Sequence, residues 1–105
     1  MTEVMIEGAT APLDFRLKEA GVAFDGTGFT VGLEISTSAG QAIGSPEPTV
    51  AWLDQADGTV RVSGRETLTV GEYSVRYKVA DGAGAFDYFP RGEPADMWAV
   101  IKKLP

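Results

Sequence analysis

The stretch Leu68-Thr69-Val70-Gly71-Glu72-Tyr73-Ser74-Val75-Arg76-Tyr77-Lys78-Val79 decides the fold of this chain. From Tyr73 onward, apolar and polar side chains alternate, which is the two-residue period of a β-strand with one buried face. The residues before it follow the spacing Leu-x-x-Gly-x-Tyr, in which the glycine permits a tight turn and the leucine can cover one end of a core. The stretch therefore predicts a long strand that begins at a sharp corner.

This spacing is typical of the tyrosine corner of immunoglobulin-like sandwiches, in which the tyrosine hydroxyl bonds back to nearby backbone. We predict that Leu68, Gly71 and Tyr73 form such a corner.

Alternation of the same kind occurs on both sides of that stretch, and turn signals separate the runs at about the 8–12-residue spacing of a sandwich. The alternating runs are Leu13–Lys18, Phe29–Ser36 and Thr59–Ser63, and the turns are Asp25–Gly28, Gln55–Gly58 and Asp81–Gly82. No segment has a convincing helical period. We predict an all-β fold, an immunoglobulin-like antiparallel β-sandwich of about 7–9 strands, formed by a single domain over residues 1–105.

The amino-acid composition disfavours several classes of function. The chain has no cysteine and no histidine, which removes disulfides, thiolate metal sites and the usual general base. We therefore expect no enzymatic activity and no cofactor. The net charge of −6, without a basic run, disfavours nucleic acid. No stretch approaches the roughly 20 apolar residues of a membrane span, and the N-terminus does not read as a signal peptide.

Two short runs, Val50–Leu53 and Met97–Ile101, are apolar on both faces. Such strands are covered on both sides, either by a loop of the same domain or by a partner.

An aromatic cluster follows the Asp81-Gly82 turn. Phe86 and Tyr88 are expected on one face of a strand and Phe89 on the other, so Phe89 needs cover of its own. Either the segment 90–94 folds over it, or the cluster contacts another subunit, since aromatic residues are enriched at interface hot spots. The candidate protein interface comprises Phe86, Tyr88, Phe89 and Trp98.

Carboxylate pairs leave a hydrolase as a remote alternative. Asp54 with Asp57, and Glu93 with Asp96, are the pairs available. Without any partner group in the sequence, each is better interpreted as a solvated turn acid.

The order of these motifs resembles the immunoglobulin-like N-terminal domain of phage baseplate upper proteins. The residues that carry the resemblance are Leu13–Val31, Asp54–Val62, Leu68–Tyr73, Asp81-Gly82, Phe89-Pro90 and Trp98–Val100. In that family a fibre or receptor-binding region usually follows, whereas this sequence stops soon after the last predicted strand, at Lys103-Leu104-Pro105.

The resemblance implies a structural bacteriophage virion protein. As an adaptor or decoration module it would dock onto other phage structural proteins, on the tail or baseplate, the neck or the capsid surface. The resemblance further implies that the chain occurs in repeated copies within a symmetric assembly. It also implies that the virion is assembled in the host cytoplasm. The alternative is a carbohydrate-binding module for host-surface attachment, with sugars stacked on Trp52, Trp98 or Tyr88.

Overall fold

The computed structural model describes residues 2–19, 21–41, 43, 47–90 and 96–102. In this part of the chain the regular structure consists of ten strands and one short 3-10 helix, Arg65–Thr67. The strands are β1 (Thr2–Ile6), β2 (Leu13–Arg16), β3 (Lys18–Glu19), β4 (Val22–Ala23), β5 (Thr30–Thr37), β6 (Thr49–Asp54), β7 (Thr59–Ser63), β8 (Gly71–Ala80), β9 (Phe86–Phe89) and β10 (Asp96–Ile101).

A five-stranded sheet is organised around β8, its longest strand. One edge of β8 pairs with β5, from Tyr73 to Ala80. The other edge pairs with β10 over its first half and with β9 over its second half. Strand β1 lies beyond β10 and pairs with it in parallel, whereas the other pairs are antiparallel.

A three-stranded antiparallel sheet packs against this one. Its strand order is β2-β7-β6. Strands β3 and β4, of two residues each, pair with one another as a separate hairpin. Aromatic rings join the two sheets, because Phe15 of β2 lies 6.0 Å from both Tyr77 of β8 and Trp98 of β10, measured between ring centroids. The buried side chains form one hydrophobic cluster, as a sandwich core requires. They are Met5, Leu17, Val60, Val62, Leu68, Tyr73, Val75, Tyr77, Val79, Phe89, Trp98 and Val100.

The strand order matches the immunoglobulin arrangement of a B-E-D sheet over a C-F-G sheet. Strands β2, β7 and β6 take the first set of places, and β5, β8 and β10 take the second. The predicted all-β sandwich is confirmed, and its alternating runs bury the predicted faces.

The structure adds two details to this prediction. The described residues contain ten strands, because short strands such as β3, β4 and β9 add to the main ones. The sheets are also not wholly antiparallel, since the missed strand β1 runs parallel to β10.

Candidate functional site

The tyrosine-corner residues meet where β8 begins. The Tyr73 hydroxyl donates to the backbone oxygen of Thr69 at 2.7 Å and lies 3.2 Å from its Oγ1. Leu68 and Tyr73 are both buried, and Gly71 is the first residue of the strand. This is the hydrogen bond that a tyrosine corner makes. Its role is to fix the entry of β8 into the sheet.

The four predicted interface residues are divided between the surface and the core. In the pairing of β9 with β8, Phe86 and Tyr88 lie opposite outward-facing residues, whereas Phe89 lies opposite the buried Tyr77. Phe89 and Trp98 are each only 1% exposed. Because a fully enclosed side chain offers nothing to a partner, both are removed from the candidate interface.

The expected cover for Phe89 was therefore also wrong. The strand has the opposite phase, with Phe89 facing the sandwich interior and its ring 4.9 Å from that of Phe24. The segment 91–95, which contains most of the predicted covering residues, lies outside the described residues.

Phe86 and Tyr88 form an aromatic cluster with Lys78 and Glu34 on the outer face of the five-stranded sheet. The two rings meet edge to face at 5.7 Å and 81°, and Nζ of Lys78 lies 4.4 Å from the centroid of Phe86. The Tyr88 hydroxyl donates to Oε2 of Glu34 at 3.3 Å. Partial burial and then the nearby Glu34 carboxylate raise the pKa of Tyr88. The cluster thus combines exposed aromatic area with one cation and one anion.

An apolar patch, missed from the sequence, occupies the other end of the same face. It comprises Val4, Ile6, Val70, Ala99 and Ile101. In the pairing of β1 with β10, Val4 lies opposite Ala99 and Ile6 opposite Ile101. Val70 directly precedes Gly71, the first residue of β8, which pairs with Val100 next to Ile101. The four larger side chains of the patch are exposed.

The outer face of the three-stranded sheet is different. Arg61 donates to both carboxylate oxygens of Asp14, at 2.8 and 3.1 Å, and Arg16 pairs with Asp57. The Arg61 hydrogen bond lowers the pKa of Asp14. Such a surface keeps its charged groups solvated and paired, as expected of a sheet face in contact with water.

Most of the exposed apolar side chains lie on or beside the five-stranded sheet. Among the described residues, seven large hydrophobic side chains are exposed, and five of them belong to the five-stranded sheet or adjoin it: Val4, Ile6, Val70, Phe86 and Ile101. Val22 and Leu53 lie elsewhere.

The aromatic residues considered for sugar stacking have little free ring surface. Trp98 is buried, and Trp52 is half-buried, with its Nε1 donating to the backbone oxygen of Phe29 at 2.9 Å. Tyr88 is the remaining candidate. Its ring is nearly perpendicular to that of Phe86, so the two cannot lay their faces on one sugar ring together.

The turn carboxylates have structural contacts. Asp57 pairs with Arg16, and Oδ1 of Asp54 accepts a hydrogen bond from the backbone nitrogen of Asp57 at 3.3 Å. Glu93 lies outside the described residues. In the part of the chain that the structure describes, no group of three or more acidic, histidine or cysteine side chains is placed to hold a metal ion.

No family model, curated protein or solved structure matches this chain. Within the described ranges, no helix has the length and apolar character needed to cross a membrane.

Proposed function

We propose that this chain is a structural protein of a bacteriophage particle that docks onto other phage subunits through the outer face of its five-stranded sheet. It acts as an adaptor or decoration module on the tail or baseplate, the neck or the capsid surface, and it is assembled into the virion in the host cytoplasm. The observation that carries the docking role is the concentration of five exposed large hydrophobic side chains on and beside that one face.

The energetic reason is the cost of leaving apolar surface in water. Burial of such surface contributes about 25 cal/mol per Å², so a protein partner that covers the apolar patch and the aromatic cluster gains at both ends of the face. Contiguous apolar surface rimmed by polar residues marks interaction sites in soluble proteins. The ion-paired outer face of the other sheet offers no comparable gain.

The virion assignment is supported by the order of sequence motifs, which resembles the domain of phage baseplate upper proteins. A cysteine-free chain is compatible with assembly in a reducing compartment.

Mass spectrometry of purified particles tests this function. Particles from a host that carries the gene are purified by two successive density steps, and the chain is quantified against the major capsid and tail proteins. We expect a fixed copy number per particle that survives both steps. Absence of the chain from particles that are otherwise complete would end the virion assignment.

A further inference from the structure

We infer that the outer face of the five-stranded sheet binds a second copy of this chain, face to face about a two-fold axis. The inference rests on the proposed function and names the partner of the docking face, because the phage subunit that this face meets is another copy of the same chain. It is carried by the arrangement of the aromatic cluster and the apolar patch, which lie at opposite ends of β8 on one face.

Symmetry brings these two ends together. A two-fold axis that crosses β8 at Val75 reverses the strand, so each position is matched with the one equally far on the other side of Val75. Glu72 of one copy then faces Lys78 of the other, and Ser74 faces Arg76. These residues alternate with the buried Tyr73, Val75 and Tyr77 and therefore all belong to the outer face.

The neighbouring strands match in the same way. Ala99 is paired with Glu72, and Tyr88 is paired with Lys78, so Ala99 of one copy faces Tyr88 of the other. One row further from the axis, Ile101 faces Phe86. Packed sheets lie within about 30° of parallel, so the match is between the two ends of the face rather than between single atoms. Ala99 and Ile101 of each copy thus cover Tyr88 and Phe86 of the other, as in an isologous interface.

The charges on this face are balanced and do not oppose the binding of a second copy. Each chain carries a net charge of −6, so two copies repel one another overall. On the outward positions of β5 and β8, however, the charged residues are two anions and two cations, Glu34, Glu72, Arg76 and Lys78. Because these charges cancel, the face adds no repulsion of its own, and Glu72 with Lys78 gives an attractive pair on each side of the axis.

The size of the face sets the expected affinity. Ten residues of β8 span about 33 Å, and four strands span about 14 Å between the outer strand axes. This footprint, roughly 460 Å², is smaller than the roughly 600–1,000 Å² that each partner of a stable specific interface buries, as expected of a weak contact. We expect a dimer with a dissociation constant on the order of 10–100 μM, strengthened in a particle by the presence of many copies.

Sedimentation velocity of the purified chain from about 5 to 500 μM tests the dimer, with Glu72→Lys, Lys78→Glu and the double variant beside the native sequence. We expect a concentration-dependent dimer for the native chain, weakened about fivefold or more by either single charge reversal, since each places like charges opposite one another. The double variant restores the attraction and should return to within about twofold of the native dissociation constant. Glu66→Lys, an exposed position on the 3-10 helix, makes the same change in net charge as Glu72→Lys and should not weaken the dimer.

A native chain that stays monomeric throughout this range would overturn the inference, and so would a double variant no stronger than the single ones. Thermal melts of each variant show whether it is folded. If a single charge reversal unfolds the chain, the variants Ile101→Asp and Leu53→Asp are compared instead. Only Ile101→Asp should weaken the dimer. Absence from purified particles would remove the virion assignment and leave the dimer standing. A monomer in solution, with the chain present in particles, would remove the dimer alone.

Discussion

Ile6 lies directly opposite Ile101 on the outer face of the five-stranded sheet, and the two side chains are 51% and 47% exposed. One belongs to the first strand and the other to the last, so the parallel pairing of β1 with β10 creates this contact. The same pairing sets Val4 beside Ala99. An apolar surface that neither strand has alone is thus formed when the two are joined.

Replacing Ile101 with serine should separate docking from folding. Because the side chain is half exposed, we expect the free energy of unfolding to change by less than about 1 kcal/mol. Incorporation of the chain into particles should fall at least severalfold. Leu53→Ser is the matched control, since Leu53 is 48% exposed but lies on the three-stranded sheet. Equal incorporation of the two variants would show that the apolar patch is not the docking surface.

Tyr73→Phe and Tyr77→Phe should have different effects on stability. The first removes the hydrogen bond to Thr69 and should lower the free energy of unfolding by about 1 kcal/mol. The second removes a buried hydroxyl for which the described residues provide no hydrogen-bond partner, so we expect no loss or a small gain in stability. Urea unfolding of both variants measures the difference. A larger loss for Tyr77→Phe than for Tyr73→Phe would contradict the assignment of the corner.

Tyr77 should also make the chain sensitive to alkaline pH. Burial first, and then the charges of Asp96 and Glu3, raise the pKa of its hydroxyl well above the ordinary value of about 10. Above about pH 10 the unfolded tyrosine ionises while the folded one stays neutral, so the unfolded state binds fewer protons. The stabilising contribution is complete below that pH and is lost as the pH rises further, by up to about 1.4 kcal/mol per pH unit.

Urea unfolding between about pH 8 and pH 11.5 tests this dependence. The native chain should lose stability more steeply above pH 10 than Tyr77→Phe does. Identical slopes for the two proteins would mean that the Tyr77 hydroxyl ionises as readily in the folded chain as in the unfolded one.

Gly26 and Gly32 should respond oppositely to alanine. A Cβ added to Gly26 would lie 2.6 Å from Cη2 of Trp52, a ring held by its hydrogen bond to Phe29, so we expect Gly26→Ala to cost roughly 1–3 kcal/mol. A Cβ on Gly32 meets nothing within 4 Å, and alanine in the strand should be neutral or stabilising by about 0.5–1 kcal/mol. Thermal melts compare them. A Gly26→Ala variant as stable as the native chain would show that both the Trp52 ring and the backbone oxygen of Gln55, 2.9 Å from the added Cβ, can move aside.

The strands of the core could be predicted from the sequence because alternation is a local property. In β8 the residues Tyr73, Val75, Tyr77 and Val79 are all buried, as their period requires. The tyrosine corner was equally accessible, since Tyr73 and its acceptor Thr69 are only four residues apart.

The phase of β9 and the position of β1 are set by distant partners. Phe86, Tyr88 and Phe89 are all aromatic, so alternation alone does not say which of them faces inward. The answer comes from pairing with β8, which sets Phe89 opposite the buried Tyr77. In β1, Val4, Met5 and Ile6 are apolar on both faces, so the short run carries no clear period, and its parallel partner is about 95 residues away along the chain.

The apolar patch could not be predicted from the sequence for the same reason, because it is formed by three separate segments of the chain. The sequence did indicate that the run Met97–Ile101 is apolar on both faces and needs cover on its second side. In the structure, one face of that run contributes Trp98 and Val100 to the core, and the other contributes Ala99 and Ile101 to the exposed patch. The need for cover was therefore visible in the sequence, but the shape of the surface to be covered was not.

The most direct test uses the absence of cysteine from the chain. Ile101→Cys and Leu53→Cys each introduce a single thiol, at positions of similar exposure on opposite sheets, and maleimide labelling is measured on the free chain at low concentration and on purified particles. Docking through the five-stranded sheet predicts that both thiols react in the free chain, and that in particles the thiol at 101 is protected at least tenfold while the thiol at 53 still reacts. Equal labelling at 101 in the free chain and in the particle would contradict the account.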